Sequence, residues 1–197
     1  MLMLSELDAV NAMLRVIGSS PVTRLDDSGV VDAITARQCL QDASREVQAR
    51  GWHFNTDLNV RLVPEPPLPG VVRLPSNCLQ VDTADSHDLD IIARGSYLYD
   101  RRNHTKRFSS TLVVHMVLCL PWDDLPAYAR AYICARASRQ YQMAVVGSET
   151  LNASLVHDEQ RTLIALKTAE ARNADWNILA DSSFIRRLRG SKSTWVF

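Results

Sequence analysis

The residues in this chain that could carry chemistry are few and scattered. Asp123 and Asp124 are adjacent carboxylates, the residue type that glycoside hydrolysis needs in pairs. They stand just before Pro126 at a predicted helix start, where they serve more simply as cap and dipole partners. Asp82, Asp85, Asp88 and Asp90 crowd one loop. A calcium loop of the EF-hand type also needs a central glycine and a closing glutamate, and this loop has neither, so it reads as a solvated acidic turn. His53, His87, His104, His115 and His157 form no HxxxH or HxH pair, so no metal site is expected. Cys39, Cys78, Cys119 and Cys134 form no CxxC pair and read as reduced, mostly buried thiols. No GxSxG, Cys–His pairing or phosphate-cradling glycine loop occurs, and the chain has only seven glycines. Nothing asks for a catalytic residue or a cofactor.

One polar cluster has a sharper reading. Arg101, Arg102, Lys106 and Arg107 surround Asn103, His104 and Thr105. The plain reading is an exposed hairpin tip. The sharper one is an electrostatic contact with a partner or a neighbouring subunit. Formal net charge is zero across 197 residues, so no chain-wide basic field supports DNA grip as the main task. The exception is the end: residues 175–197 carry four basic and two acidic groups. With 46% hydrophobic and 22% charged residues, the chain can build a packed core. Met1 to Leu4 is too short an apolar run for a signal peptide or a membrane span, and a soluble protein of a reducing cytoplasm is expected.

The elements that must position these groups centre on residues 32–55. Ala33, Ala36, Leu40, Ala43 and Val47 recur at steps of three and four, one face of a helix. The face is mostly alanine, so a partner helix can approach closely, and Ala36 and Ala43 are the expected contact points. Asp32 is the predicted N-cap and Gly51 the predicted stop. Trp52 and Phe54 follow on an extended segment, with Trp52 largely buried as the hinge between a helical and a β layer. Upstream, Ser5 and Asp8 predict a capping box for a helix striped by Leu7, Val10, Met13, Leu14 and Ile17 and closed at Gly18. Pro21 bends the connector that follows.

After Phe54 the period falls from about 3.6 to 2. Short strands are expected at 58–62, 71–74, 79–81, 89–93, 97–99 and 112–120, with Gly95-Ser96 as a hairpin turn. Prolines 64, 66, 67 and 69 forbid a central strand between the first two. Together these strands predict one small antiparallel sheet or barrel. A third helix should open with Asp124 as N-cap and Pro126 near its first position. It carries a small-residue stripe of Ala127, Ala131, Ala135 and Ser138, and stops at Gly147. A fourth, capped by Ser148, should place Leu151, Leu155, Leu163, Leu166 and Ala169 inward and Asp158, Glu159, Arg161 and Lys167 outward, to about residue 173. The fold class is therefore α+β: an antiparallel bundle of about four helices, residues 1–55 and 122–175, with a β-rich domain, 56–121, inserted between the second and third. A C-terminal assembly tail, 176–197, holds Arg186, Arg187, Arg189, Trp195 and Phe197. Its apolar groups lack a period, so the tail is expected to order only on assembly.

Four stretches carry a family resemblance. They are Leu7-x-x-Val10-Asn11-x-x-Leu14-x-x-Ile17-Gly18-x-x-Pro21-Val22-x-x-Leu25, Arg45-x-x-Gln48-x-Arg50-Gly51-Trp52-x-Phe54-Asn55, Gly95-x-Tyr97-x-Tyr99-Asp100-Arg101, and Asp124-Leu125-Pro126 with Ala137-Ser138-Arg139-Gln140-Tyr141. In this order they resemble the tail tubular protein A family of T7-like podophages, and the likeness fades after about residue 150. The resemblance implies a structural virion protein without catalytic residues, made in the host cytoplasm. It implies a homo-oligomeric ring of about twelve subunits between the portal protein and the tail nozzle, tail tubular protein B. It also implies a helical ring wall, a β lobe where tail fibres dock, and a conduit that phage DNA crosses without specific binding. Membrane insertion is not expected. Two other classes stay open on the residues alone: a tail-associated hydrolase using Asp123 or Asp124, and a nucleic-acid binder using residues 186–192.

Overall fold

The computed structural model describes residues 4–25, 30–84 and 89–181, with side chains to residue 173. Helix α1 spans Glu6–Val16 and opens with the expected reciprocal capping box. The Ser5 hydroxyl accepts from the Asp8 amide, and the Asp8 carboxylate accepts from the Ser5 amide. Ala9, Val10, Met13 and Leu14 are its buried face. Asn11 pins the connector behind it: its side chain donates to Val22 O and accepts from Val22 N, at 3.0 and 2.8 Å.

Helix α2 spans Val31–Gln48 and buries Ala33, Ala36, Leu40, Ala43 and Val47, the five residues of the predicted stripe. Alanine at these positions lets α2 lie against α1 and helix α3 (Ala127–Val145) at once. Ala43 is 1% exposed. Ala43→Leu should therefore overpack the seam and cost about 1–3 kcal/mol. Thermal melting checks this, and an unchanged midpoint would mean the seam has room to spare. The start of α2 differs from expectation. Val30 is the N-cap and makes no side-chain cap bond. Asp32 lies inside the first turn, where its carboxylate instead accepts from the Ser19 hydroxyl at 2.8 Å.

α3 also starts differently. Pro126 is its N-cap, and Asp124 lies in a separate 3-10 turn, Trp122–Asp124. A proline lacks an N–H and keeps the residue before it extended, so the helix begins after it. Of its predicted small stripe, Ser138 is buried and Ala135 half-buried, but the first half is out of phase. Ala127 and Ala131 are exposed, and Ala129, Tyr132, Ile133, Ala137, Ser138 and Tyr141 face inward. Alanines on several sides of one helix hide which side is buried. Helix α4 spans Glu149–Asp181, longer than expected, and packs along α3. Leu166 is fully buried as predicted, but Leu151 is exposed and Glu159, expected outside, is buried.

Between α2 and α3 the chain makes seven strands: β1 Thr56–Leu62, β2 Gly70–Val71, β3 Cys78–Thr83, β4 Ile91–Arg94, β5 Tyr97–Asp100, β6 Arg107–Phe108 and β7 Leu112–Leu118. They form three small antiparallel sheets, β1-β7-β3, β2-β6 and β4-β5, in place of the single sheet or barrel expected. The proline run limits β2 to two residues, and β6 is too short to show a period of 2. The β4-β5 hairpin turns at Gly95-Ser96, with Gly95 at φ +64.

Two separate apolar clusters result. One is helical, built from α1, α2 and α3 with Leu125 and Leu166. The other is built around Val72, Ile91, Leu98, Phe108, Leu112, Val114 and Met116. The joint between them is polar and saturated. Gln48, fully buried, donates to Leu120 O and accepts from Leu120 N, at 3.1 and 2.7 Å. Asn55, 2% exposed, donates to Gln48 O and Leu118 O and accepts from Trp52 N, at 2.9, 2.8 and 2.8 Å. The predicted extended segment is here a 3-10 turn, His53–Asn55, because Asn55 folds back to cap it. Trp52 is half-buried, less than expected, and its indole N–H donates to Val47 O at 2.7 Å.

Candidate assembly interface

The basic run lies on a tight turn after β5. Asp100, 2% exposed, organises it. Its carboxylate accepts from the Arg102 and Asn103 amides and from the Asn103 side chain, at 2.8, 3.1 and 2.7 Å. Burial alone would raise the Asp100 carboxyl, and these donations more than offset that, holding it below its ordinary value. Asp100 and Thr105 exchange backbone bonds across the turn.

The cations around this turn are held in place partly by aromatic rings. The Arg94 guanidinium stacks 3.6 Å from the Tyr99 ring centre. Arg73 and Lys106 approach the Tyr97 ring at 5.6 and 5.7 Å. Arg107 donates to Pro69 O at 3.3 Å. Carboxylates offset part of this charge: Glu65 lies 3.5 Å from Arg73, Asp90 lies 3.7 Å from Arg101, and the Asp100 carboxylate interacts with the Arg102 charge. A ring fixes a cation without neutralising it, so the tip keeps positive charge in a set geometry. Arg73 and Arg94 were missed from sequence. The readable signal was Tyr97-x-Tyr99, two aromatics at the strand period.

The other predicted interface residues have different places. Ala36 and Ala43 are 0% and 1% exposed inside the subunit's own helical core, so their contact is between helices of one chain. Arg186, Arg187, Arg189, Trp195 and Phe197 lie outside the described residues, as do Asp85, His87 and Asp88. Asp123 and Asp124 are exposed on their turn. The buried Arg130 guanidinium donates to the Asp123 carbonyl, leaving that carboxylate outward.

All four cysteines are unbonded thiols; Cys134 is buried and the others are half-buried. Burial raises each thiol above its ordinary value, the opposite of what a reactive thiolate needs. His115 Nδ1 accepts from Asn59 N at 3.2 Å. Among the described residues, no three His, Cys, Asp or Glu side chains gather as metal ligands. Nor is any described helix long and apolar enough to cross a membrane.

A second feature lies beside the joint, where the start of α1, the second half of α2 and the 119–122 segment meet. It is a cavity of about 300 Å³ walled by Leu40, Leu120, Pro121 and Trp122, with Arg37 and Cys119 also lining it. A third feature is ionic. Arg136 of α3 bridges Glu46 of α2 and Glu159 of α4, and Arg139 also pairs with Glu159. This network ties three helices side by side.

The sequence model of the family described as "Tube: Tail tubular protein" matches residues 7–176. The chain belongs to the tail tubular protein family. The protein described as "Tail tubular protein A" from Klebsiella phage KP34 is 27% identical over 187 residues, covering 95% of this chain and 97% of that relative. The tail tubular family is a family of structural virion proteins and not of enzymes. This chain is accordingly a structural component of a phage tail. The family match over residues 7–176 takes in the polar joint and the basic tip.

Proposed function

We propose that this tail tubular protein is the subunit of an adaptor ring that joins the portal to the tail nozzle of a short-tailed phage. The helices, residues 1–55 and 122–175, form the ring wall around the DNA conduit. The β part, 56–121, projects from the wall and docks a tail fibre through its basic tip. The observation that carries this reading is the pair of separate apolar clusters linked by a hydrogen-bonded joint. Such a build lets one part serve as wall while the other offers a surface to a partner. The overall zero net charge suits a conduit that DNA must pass without sticking. The tail residues Arg186, Arg187, Arg189, Trp195 and Phe197 serve subunit assembly.

Reversing the tip tests the fibre part. Arg101→Glu with Arg107→Glu should leave the mass of the assembled protein unchanged and weaken fibre capture at least tenfold. The loss should grow at low ionic strength, where like-charge repulsion is least screened. Undiminished capture by this variant would place the fibre on another surface.

A further inference from the structure

The hairpin behind the basic tip presents a whole sheet face as well as a turn. Residues 72–74 run along β5: Leu98 N donates to Val72 O and Leu74 N to Ser96 O, both at 2.9 Å. With β4 they make three rows whose side chains alternate between two faces. Val72, Leu74, Ile91 and Leu98 are buried in the β cluster. Arg73, Ile92, Arg94, Tyr97 and Tyr99 take the opposite face, the tyrosines half-buried and the other three exposed. In the β4-β5 pairing Ile92 stands opposite Tyr99 and Arg94 opposite Tyr97. Tyrosine and arginine are among the residue types that carry most of the energy of protein contacts.

What this face can bind is set by what its rings already hold. The Arg94 guanidinium covers Tyr99, and Arg73 and Lys106 stand over Tyr97. A nucleic-acid base stacks on a bare ring, and these rings are taken. The cations keep donors to offer: a guanidinium lying flat on a ring still presents its N–H fork at the edge. Glu65 and Asp90 answer Arg73 and Arg101. Among the described residues no carboxylate pairs with Arg94 or Lys106, and both residues are exposed. The face therefore holds two unanswered cations, seated on rings one strand period apart, about 7 Å. Carboxylates at alternate positions of an extended segment have the same spacing. Ile92, 42% exposed beside Tyr99, adds an apolar contact. We propose that this face receives an extended acidic segment of the docked fibre protein, with carboxylates at alternate positions set on Arg94 and Lys106. The proposal rests on the fibre-docking reading above.

A fluorescent peptide of alternating glutamate and threonine is the probe, read by anisotropy against the full-length protein at low ionic strength. It should bind with an affinity that falls as salt is added, and its glutamine counterpart should not bind. Arg94→Glu should weaken binding by about tenfold or more. Arg94→Lys, which keeps the charge and loses the fork, should weaken it by about threefold or more. Both variants should melt as the parent does, because Arg94 is exposed. Failure of the glutamate peptide to bind, or binding that ignores Arg94→Glu, would overturn the inference. Tighter binding of a single-stranded thymidine oligonucleotide than of the peptide would overturn it in favour of a phosphate backbone. Fibre capture separates the two readings. Capture weakened by Arg101→Glu with Arg107→Glu but untouched by Arg94→Glu would keep the fibre on the tip and overturn the acidic-segment contact. Capture unchanged by all three substitutions would remove the fibre reading and this inference together.

Discussion

Replacing Asn55 with Ala should lower stability by about 3–5 kcal/mol, more than most substitutions in either apolar cluster. Asn55 is 2% exposed, and its amide serves three backbone groups at once: Gln48 O, Leu118 O and Trp52 N. These belong to the end of α2, the end of β7 and the 3-10 turn. Alanine leaves the Trp52 amide without this acceptor and takes one donor from each carbonyl, of which Gln48 O keeps the Gly51 amide at 3.1 Å; a buried orphan costs about 1–3 kcal/mol and each lost bond about 0.5–1.5 kcal/mol. Asn55→Leu should be at least as damaging, because it adds bulk and satisfies none of them. Urea unfolding gives the number. A loss under 1 kcal/mol would show that the joint is open to water and holds the two clusters only loosely.

Replacing Glu159 with Ala should cost a comparable amount, about 3 kcal/mol, by stranding charges in a half-buried site. Glu159 is 8% exposed and accepts from both Arg136 and Arg139. Its removal leaves Arg136 with Glu46 alone and takes from Arg139 the carboxylate it pairs with, and it loosens α4 from α3. Amide exchange along α4 should accelerate more than along α1; equal acceleration would mean the network does not hold α4 in particular.

The same network gives a pH signature. Hydrogen bonding from Arg136 holds the Glu46 carboxyl below its ordinary value. A carboxyl lowered by folding stabilises the fold fully above its unfolded value. That contribution is lost as pH falls through the folded value. Glu46→Gln should therefore lower stability at neutral pH, where the contribution is fully present, and converge with the parent at low pH, which flattens the acid limb of the stability–pH curve. An unaltered acid limb would show that the pair is too well solvated to matter.

Much of this architecture was legible in the residues. The α2 stripe was readable because its apolar positions repeat over four turns with charged neighbours between them. The capping box was readable because Ser5 and Asp8 stand at the required spacing. The phase of α3 was not, because alanine satisfies a buried and an exposed site equally. The burial of Glu159 was hidden for a different reason. A carboxylate reads as solvated until two arginines on another helix are known to face it, and that pairing is long-range. The joint was half legible. Gln48 and Asn55 stand in the family-like stretch around Gly51-Trp52, but Trp52 drew attention as the apolar anchor while the two amides do the linking. At the basic tip, the run 101–107 was local and visible, whereas Arg73 and Arg94 come from other strands and join it only through the Tyr97 and Tyr99 rings.

The central claim, that this structural tail protein works as a ring subunit, is tested most directly by the mass of the full-length chain in solution, alone and with portal added. The subunit is 22.1 kDa. The account predicts a closed species of about twelve copies, about 265 kDa, formed alone or on the portal and ring-shaped when imaged. A species that remains at 22.1 kDa at every concentration, with portal present as without it, would contradict it.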